Sequence, residues 1–309
     1  MTILTQKAVV AAEIEAVEGT AETLIAADAG FLVFNPRFEP DIAMNERDPS
    51  RAVLSPVAMI PGARQARITF ECELVGSSAA GTPPLTSDLL KGCGFSETIV
   101  AVTSVTYKPA STAIPSLTIG MWLDGKKYLM WGCRGNVSIR AEIGKPIMLA
   151  FEFTGADFTV TDEALLAGVT YETVLPAVFL DATLTVGAYA AVLNTVEINM
   201  GNTLQLRSDA NAASGYVSCL ITNRKVNLRI DPENVIVATY DFFGNWRAAT
   251  EAALAFDVGS VAGNKVAISA PKIQFGKITI EDRGGISTLG IEGQCNVNAG
   301  DDELVIAIT

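Results

Sequence analysis

Five cysteines and one pair of strand carboxylates are the side chains with which this chain could do covalent chemistry. Cys93 lies in "PPLTSDLLKGCGFSE" (83–97), the strongest helix signal of the first half. A reactive thiolate needs a neighbouring cation, a histidine or a helix N-terminus. Cys93 has Lys91 nearby but falls at the C-terminal end of the segment, where the helix dipole disfavours an anion. Leu85, Leu89 and Cys93 recur at i, i+4 and i+8 on one helix face, with Leu90 beside them, so the thiol reads as a small core residue. Cys72, Cys133, Cys219 and Cys295 form no CxxC pair, and the total is odd. Reduced, buried thiols made in a cytoplasm are the economical reading.

Glu71 and Glu73 share one strand face, as the paired acids of β-sandwich glycosidases do. The chain holds 34 Asp and Glu, and two acids on one strand are not a constellation. A solvated or charge-paired sheet face is the reading adopted. "AGDDEL" (299–304) offers oxygen ligands to a cation but lacks the spacing of a calcium loop, and reads as a polar turn. Histidine is absent, which removes Ser-His-Asp and Cys-His catalysis and His-ligated metals. There is no GxGxxG or Walker loop, and the basic residues lack the aromatic interleaving of a strand-binding groove. No catalytic residue, cofactor-binding residue or metal ligand is therefore expected.

The elements around these residues read mainly as β. The 309 residues are long enough for two cores. Charged residues make up only 18%, which points to a surface covered by partners. A net charge of −12 repels a phosphate backbone. No apolar run approaches a membrane span, and the N-terminus lacks the order of a signal peptide. Residues 1–30 read as an extended arm with a short helical piece. The stretch 35–62 holds Pro36, Pro40, Pro49, Pro56 and Pro61, which exclude a central strand or a helix interior. It is expected to be a long extended loop lying on another subunit, with Pro36, Phe38, Ile42, Met44, Leu54, Val57 and Met59 as its contact residues.

"RITFECELV" alternates with period two, placing Ile68, Phe70, Cys72 and Leu74 inward. Thr82 is the expected cap of the helix that follows, and Gly92 and Gly94 its stop. "SLTIGMWLDGKKYLMWG" is a hairpin turning at Asp124-Gly125, with Leu117, Ile119, Met121 and Leu123 on one face. "KPIMLAFEFTG" is a strand, and 156–176 a candidate linker. In the second half "RKVNLRI" is a strand with Val226, Leu228 and Ile230 inward. "NWRAATEAALAF" reads as a helix capped by Asn245, with Trp246 and Leu254 on its packing face. The strands "KVAIS", "GKITIED", "STLGIEG" and "ELVIAI" follow. Segment 131–155 can be laid over 268–293 with matching apolar alternation, which raises the expectation of a duplication.

The stretches "VEGTAETL", "NPRFEP", "GARQARITFECELVGSSAAGTPPLTSDLLKGCGFSE", "VTYKPAS", "SLTIGMWLDGKKYLMWGCRGN" and "LAFEFTGA" occur in that order. Together the chain resembles the tail tube proteins of bacteriophages, specifically the major tail protein of a long, flexible, non-contractile tail. The similarity is densest over Glu18 to Gly155. It continues more weakly through "AISAPKIQFGKITIEDRGGISTLGIEG" and "GDDELVIAI". The resemblance implies two packed β-sandwich or barrel-like modules, each with one flanking helix: 1–160, a linker at 161–176, and 177–309. It implies self-assembly into rings stacked as a tube, contact with neighbouring tail proteins and a tape-measure protein, and viral DNA passing without specific binding. It implies no enzyme activity and no membrane, and a place in the virion tail after synthesis in the host cytoplasm. A duplicated chain would close a trimeric, pseudo-sixfold ring; a single tube module would need six chains. The rival readings are a tail-tip or capsid-decoration protein and a β-sandwich carbohydrate-binding or carbohydrate-active protein.

Overall fold

The computed structural model describes residues 2–309. The first half contains β1 (Ala8–Ile14), β2 (Val33–Asn45), β3 (Ile60–Glu73), α1 (Ser87–Gly92), β4 (Phe95–Val100), β5 (Ser104–Pro109), β6 (Leu117–Leu123), β7 (Lys126–Glu142), β8 (Met148–Gly155) and β9 (Asp157–Asp162). The second contains β10 (Thr185–Val186), β11 (Thr195–Asn199), β12 (Asn202–Ser208), β13 (Tyr216–Arg224), β14 (Asn227–Ile230), α2 (Phe242–Arg247), β15 (Ala252–Val258), β16 (Val266–Arg283), β17 (Ile286–Cys295) and β18 (Val305–Ile308). The protein is mainly β, as expected.

One antiparallel sheet runs through both halves in the order β2-β3-β8-β7-β11-β14-β17-β16-β18-β5-β4. The N-terminal part of β7 also pairs with β6 and β9, and β1 pairs with β6. Likewise the N-terminal part of β16 pairs with β15 and β18, and β15 with β10. Among the described residues several strands pair on one side only, including β1, β4, β9 and β10, and so do the two outer strands of the run from β2 to β16. β2 pairs with β3 alone, and residues 276–283 of β16 pair with β17 alone.

Period-two burial builds the core on one face of the sheet. Ile68, Phe70 and Cys72 of β3 meet Phe151 and Phe153 of β8, all at most 2% exposed, and the rings of Phe70, Phe151 and Phe153 pack within 6.2 Å of one another. Val196, Ile198, Leu228, Ile230 and Ile291 continue this layer into the second half. The Asp124-Gly125 turn has φ of 40° and 106°, the positive pair that a tight two-residue hairpin requires.

Helix α1 is six residues long, too short to persist without packing. Leu89, Leu90 and Cys93 are completely buried against the sheet. Gly92 makes that approach close: a Cβ there would stand 2.5 Å from Leu117 Cδ1 and 3.3 Å from Phe153. Leu85 does not belong to this face. The chain turns at Pro83-Pro84 and becomes helical only at Ser87, with Thr86 rather than Thr82 in the cap position, so Leu85 precedes the helix and is 44% exposed. Gly94 ends the helix in the left-handed region.

The second helix also differs from expectation. It begins earlier, where Asp241 accepts a hydrogen bond from Gly244 N at 2.7 Å, and it ends in a turn with Ala249 at φ 52°. Phe242 is its buried residue. Trp246 sits in the last turn, 38% exposed. Leu254 is buried, but on β15, where Leu254, Phe256 and Val258 alternate inward; the alanine-rich run 248–253 mimics helical spacing without being helical.

The proline-rich stretch is strand for much of its length. Pro36, Phe38, Ile42 and Met44 lie on β2, which tolerates proline because it is an edge. Only 46–59, with Leu54, Val57 and Met59, forms the apex. Within the candidate linker, β9 is a sheet strand paired with β7, and Glu163 accepts a hydrogen bond from Trp122 Nε1 at 3.0 Å.

Because Cys93 has no room for a hydrated hydroxyl, Cys93→Ser is expected to cost about 1–3 kcal/mol of stability. Gly92→Ala is expected to cost a similar amount through overpacking on Leu117, about 1–3 kcal/mol. Urea unfolding of the unassembled protein measures both; wild-type midpoints would show that α1 is not seated as described.

Candidate functional site: the polar face of the sheet

The thiols offer no nucleophile. Burial pushes all five up, Cys219 to about 11, so they stay protonated at neutral pH. The carboxylates of the 299–304 turn are occupied internally. Asp302 accepts from the backbone N–H groups of Asn298, Ala299 and Gly300, which hold its carboxyl below the usual range. Asp301 and Glu303 bind Arg224 at 2.8 and 2.5 Å. Among the described residues no group of His, Cys, Asp and Glu is arranged to hold a metal.

The side chains opposite the core face are organised instead. The sheet curves so that its polar face encloses an open trough of about 910 Å³ spanning β3 to β16. Cross-strand register sorts this face into rows. One row runs Ser138, Asn199, Asn227, Gln294, Gln274 over β7, β11, β14, β17 and β16. It is uncharged and largely amide. Asn136 Nδ2 donates to Asn199 Oδ1 at 3.0 Å, Asn199 Nδ2 donates to Ser138 Oγ at 2.6 Å, and Gly201 N donates to Asn199 Oδ1 at 2.6 Å.

The adjacent row runs Arg140, Glu197, Arg229, Glu292, Lys277 and alternates in sign at every strand. Arg140 meets Glu197 at 3.5 Å and Glu142 at 3.3 Å, and Lys277 meets Glu292 at 3.7 Å. Arg229 stands in register between Glu197 and Glu292. Towards β2, Arg67 pairs with Glu152 at 2.6 Å. Each cation of these rows stands beside an acid, so they carry mixed charge without a basic stripe. Glu71 and Glu73 belong to this same face, opposite Ala150 and Met148, and Glu71 lines the trough.

These rows were hidden from the sequence. Alternation marks Thr69, Glu71, Ser138 or Arg140 as outward-facing, but only register shows which of them line up across strands. Of the residues proposed for helix packing, Leu89, Leu90, Cys93 and Leu254 are buried on the core side while Leu85 and Trp246 are partly exposed, and those proposed for the long loop lie on β2 and at the apex beyond it.

The exposed charge row and the half-buried amide row should respond differently to substitution. Glu197→Gln is expected to change stability by less than about 1 kcal/mol, since exposed pairs contribute little. Asn199→Ala is expected to cost about 1–3 kcal/mol by leaving Gly201 N and Asn136 without their acceptor. Denaturant titration of both variants checks the contrast, and equal effects would contradict the row assignment.

Among the described residues, no helix is long and apolar enough to cross a membrane. No curated protein matches the sequence. A family model described as phage tail tube protein matches residues 5–298. That match spans nearly the whole of a mainly β chain, and the protein belongs to the phage tail tube protein family, a structural component of the virion tail.

Proposed function

We propose that this chain assembles with itself into closed rings that stack as the tail tube, with the trough face lining the channel through which viral DNA enters the host. The observation that carries this reading is a repeated register. In the first half Arg37 pairs with Thr69, Thr69 with Glu152, and Glu152 with Asn136. In the second, Glu197 pairs with Arg229, Arg229 with Glu292, and Glu292 with Lys277. The strand orders β2-β3-β8-β7 and β11-β14-β17-β16 are the same, and a helix follows the second strand in chain order in both. The sequences "GNVSI" (135–139) and "GKITI" (276–280) occupy matching places on β7 and β16.

This supports two copies of one module per chain, joined edge to edge at β7·β11. Three chains then close a ring of six modules. Residues 161–176 connect the modules, and the first module extends to 160 with its N-terminal arm. The apex of the β2–β3 hairpin, with Leu54, Val57 and Met59 at its tip and Ile42 and Met44 on its stem, reaches an adjacent ring. Leu54 is fully exposed and Met44 52% exposed, a liability for a monomer and a contact surface in a stack. Neighbouring tail proteins, a tape-measure protein in the channel and passing DNA complete the partners, and the protein is made in the host cytoplasm. Mixed charge suits the channel wall, because each phosphate that nears a cation also nears an acid.

Electron microscopy of the purified protein tests the reading. Striated tubes with a central channel and threefold, near-sixfold rings are expected. A monodisperse monomer at high concentration would overturn it. Leu54→Asp is expected to leave rings intact while shortening tubes. Converting the charge row with Glu197→Lys and Glu292→Lys should create DNA affinity whose log–log salt slope is steeper by about 1–2 than wild type; an unchanged slope would remove this face from the channel.

A further inference from the structure

We infer that residues 276–283 of one copy pair antiparallel with β2 of the next, in a register fixed by the internal β7·β11 seam. The inference rests on the two-module ring proposed above and specifies its closing contact. Within the chain, β7 meets β11 with Arg140 opposite Glu197, Ile139 opposite Ile198 and Ser138 opposite Asn199. In the repeated register, Glu281, Ile280 and Thr279 stand where Arg140, Ile139 and Ser138 stand. Arg37, Phe38 and Glu39 stand where Glu197, Ile198 and Asn199 stand. Placing these two edges together therefore sets Glu281 against Arg37, Ile280 against Phe38 and Thr279 against Glu39. One step further, Lys277 meets Asp41.

Two independent features fit this register. The ion pair survives with its signs exchanged, since Arg140–Glu197 inside the chain becomes Glu281–Arg37 between chains. A slip of one residue would destroy this, and turn every side chain to the other face. The apolar side agrees as well. Ile139 is 2% exposed under the internal seam, whereas its counterpart Ile280 is 69% exposed at the open edge. Phe38 is only half-buried on β2. Each edge thus leaves bare the apolar group that its counterpart covers, and backbone donors and acceptors that a neighbouring strand satisfies.

The occupant of each edge is accordingly a second copy of this chain. The contact is head-to-tail, and rings result when the rotation closes. Isotopically labelled and unlabelled full-length protein, mixed before assembly, would be treated with a water-soluble carbodiimide. Lys277–Asp41 cross-links between labelled and unlabelled chains are expected in the assembled fraction, while Lys277–Glu292 within one chain appears in every fraction. Separately, Arg37→Glu and Glu281→Arg are each expected to raise the concentration needed for assembly at least about tenfold. The double exchange should return it to within about threefold of wild type, with the unassembled variants melting as wild type does. Rings in which Lys277 joins acids of a neighbouring chain other than Asp41, or in which the double exchange fails to rescue, would overturn the register while leaving the ring. Failure of the wild-type chain to assemble would overturn both.

Discussion

A β-sheet that ends leaves a row of backbone donors and acceptors without partners, and this molecule is arranged around that constraint. Its main sheet passes from one half to the other without a break, because β7 and β11 satisfy one another across the midpoint of the chain. The same satisfaction is missing at β2 and at the end of β16. Small proteins usually blunt such edges with charge, proline or a covering loop. β2 carries Pro36 and Pro40, which weaken it as a template for arbitrary strands. It also carries Arg37, Glu39 and Asp41, whose signs select among partners. In the proposed ring, the edge is protected against wrong strands more than against its own kind.

The seam between halves is locked by polar groups as well as by strand pairing. Arg134 is buried, and its guanidinium donates to Ile114 O, to Cys219 O and to Glu18 Oε1. Burial pushes the Glu18 carboxyl up, but hydrogen bonds from Ser218 and Arg134 outweigh it and hold the group below the usual carboxylate range. A folded-state value below the unfolded one contributes stability above about pH 4, which is lost as pH falls through the lowered value. These bonds tie the β12–β13 hairpin, an insertion of the second half, onto the first half. Within the first half, Glu15 accepts from Ser116 Oγ at 2.6 Å and from Gly132 N at 2.6 Å. The two halves therefore share one sheet and a polar cluster across its seam.

Much of this was legible in the residues, and the failures have physical causes. Period-two patterning located Ile68, Phe70, Cys72 and Leu74 correctly, because a sheet with one buried face writes its alternation into the sequence. Asp124-Gly125 announced its hairpin because few residues tolerate both positive φ values. The helix at Trp246–Leu254 was misread because alanine spacing is compatible with strand and helix alike, and the left-handed turn at Ala249 has no glycine to mark it. The prolines of β2 argued correctly against a central strand but concealed an edge strand. The rows on the polar face depend on register between strands far apart in the chain, which no local pattern encodes.

In the proposed tube, the composition of the polar face answers two opposed demands. A wall exposed to a polyanion must not hold phosphate, yet a purely acidic wall would repel itself across a closed ring and destabilise it. Alternating Arg140, Glu197, Arg229, Glu292 and Lys277 meets both demands, since each charge has an opposite neighbour one strand away. Such exposed pairs add little stability singly, so their value lies in what they prevent. Beside them the Asn and Gln side chains bind one another and the backbone, which leaves fewer groups free to bind a passing ligand. A surface whose polar groups already face one another is slippery for chemical reasons, and its smoothness depends on the same strand register that joins the halves.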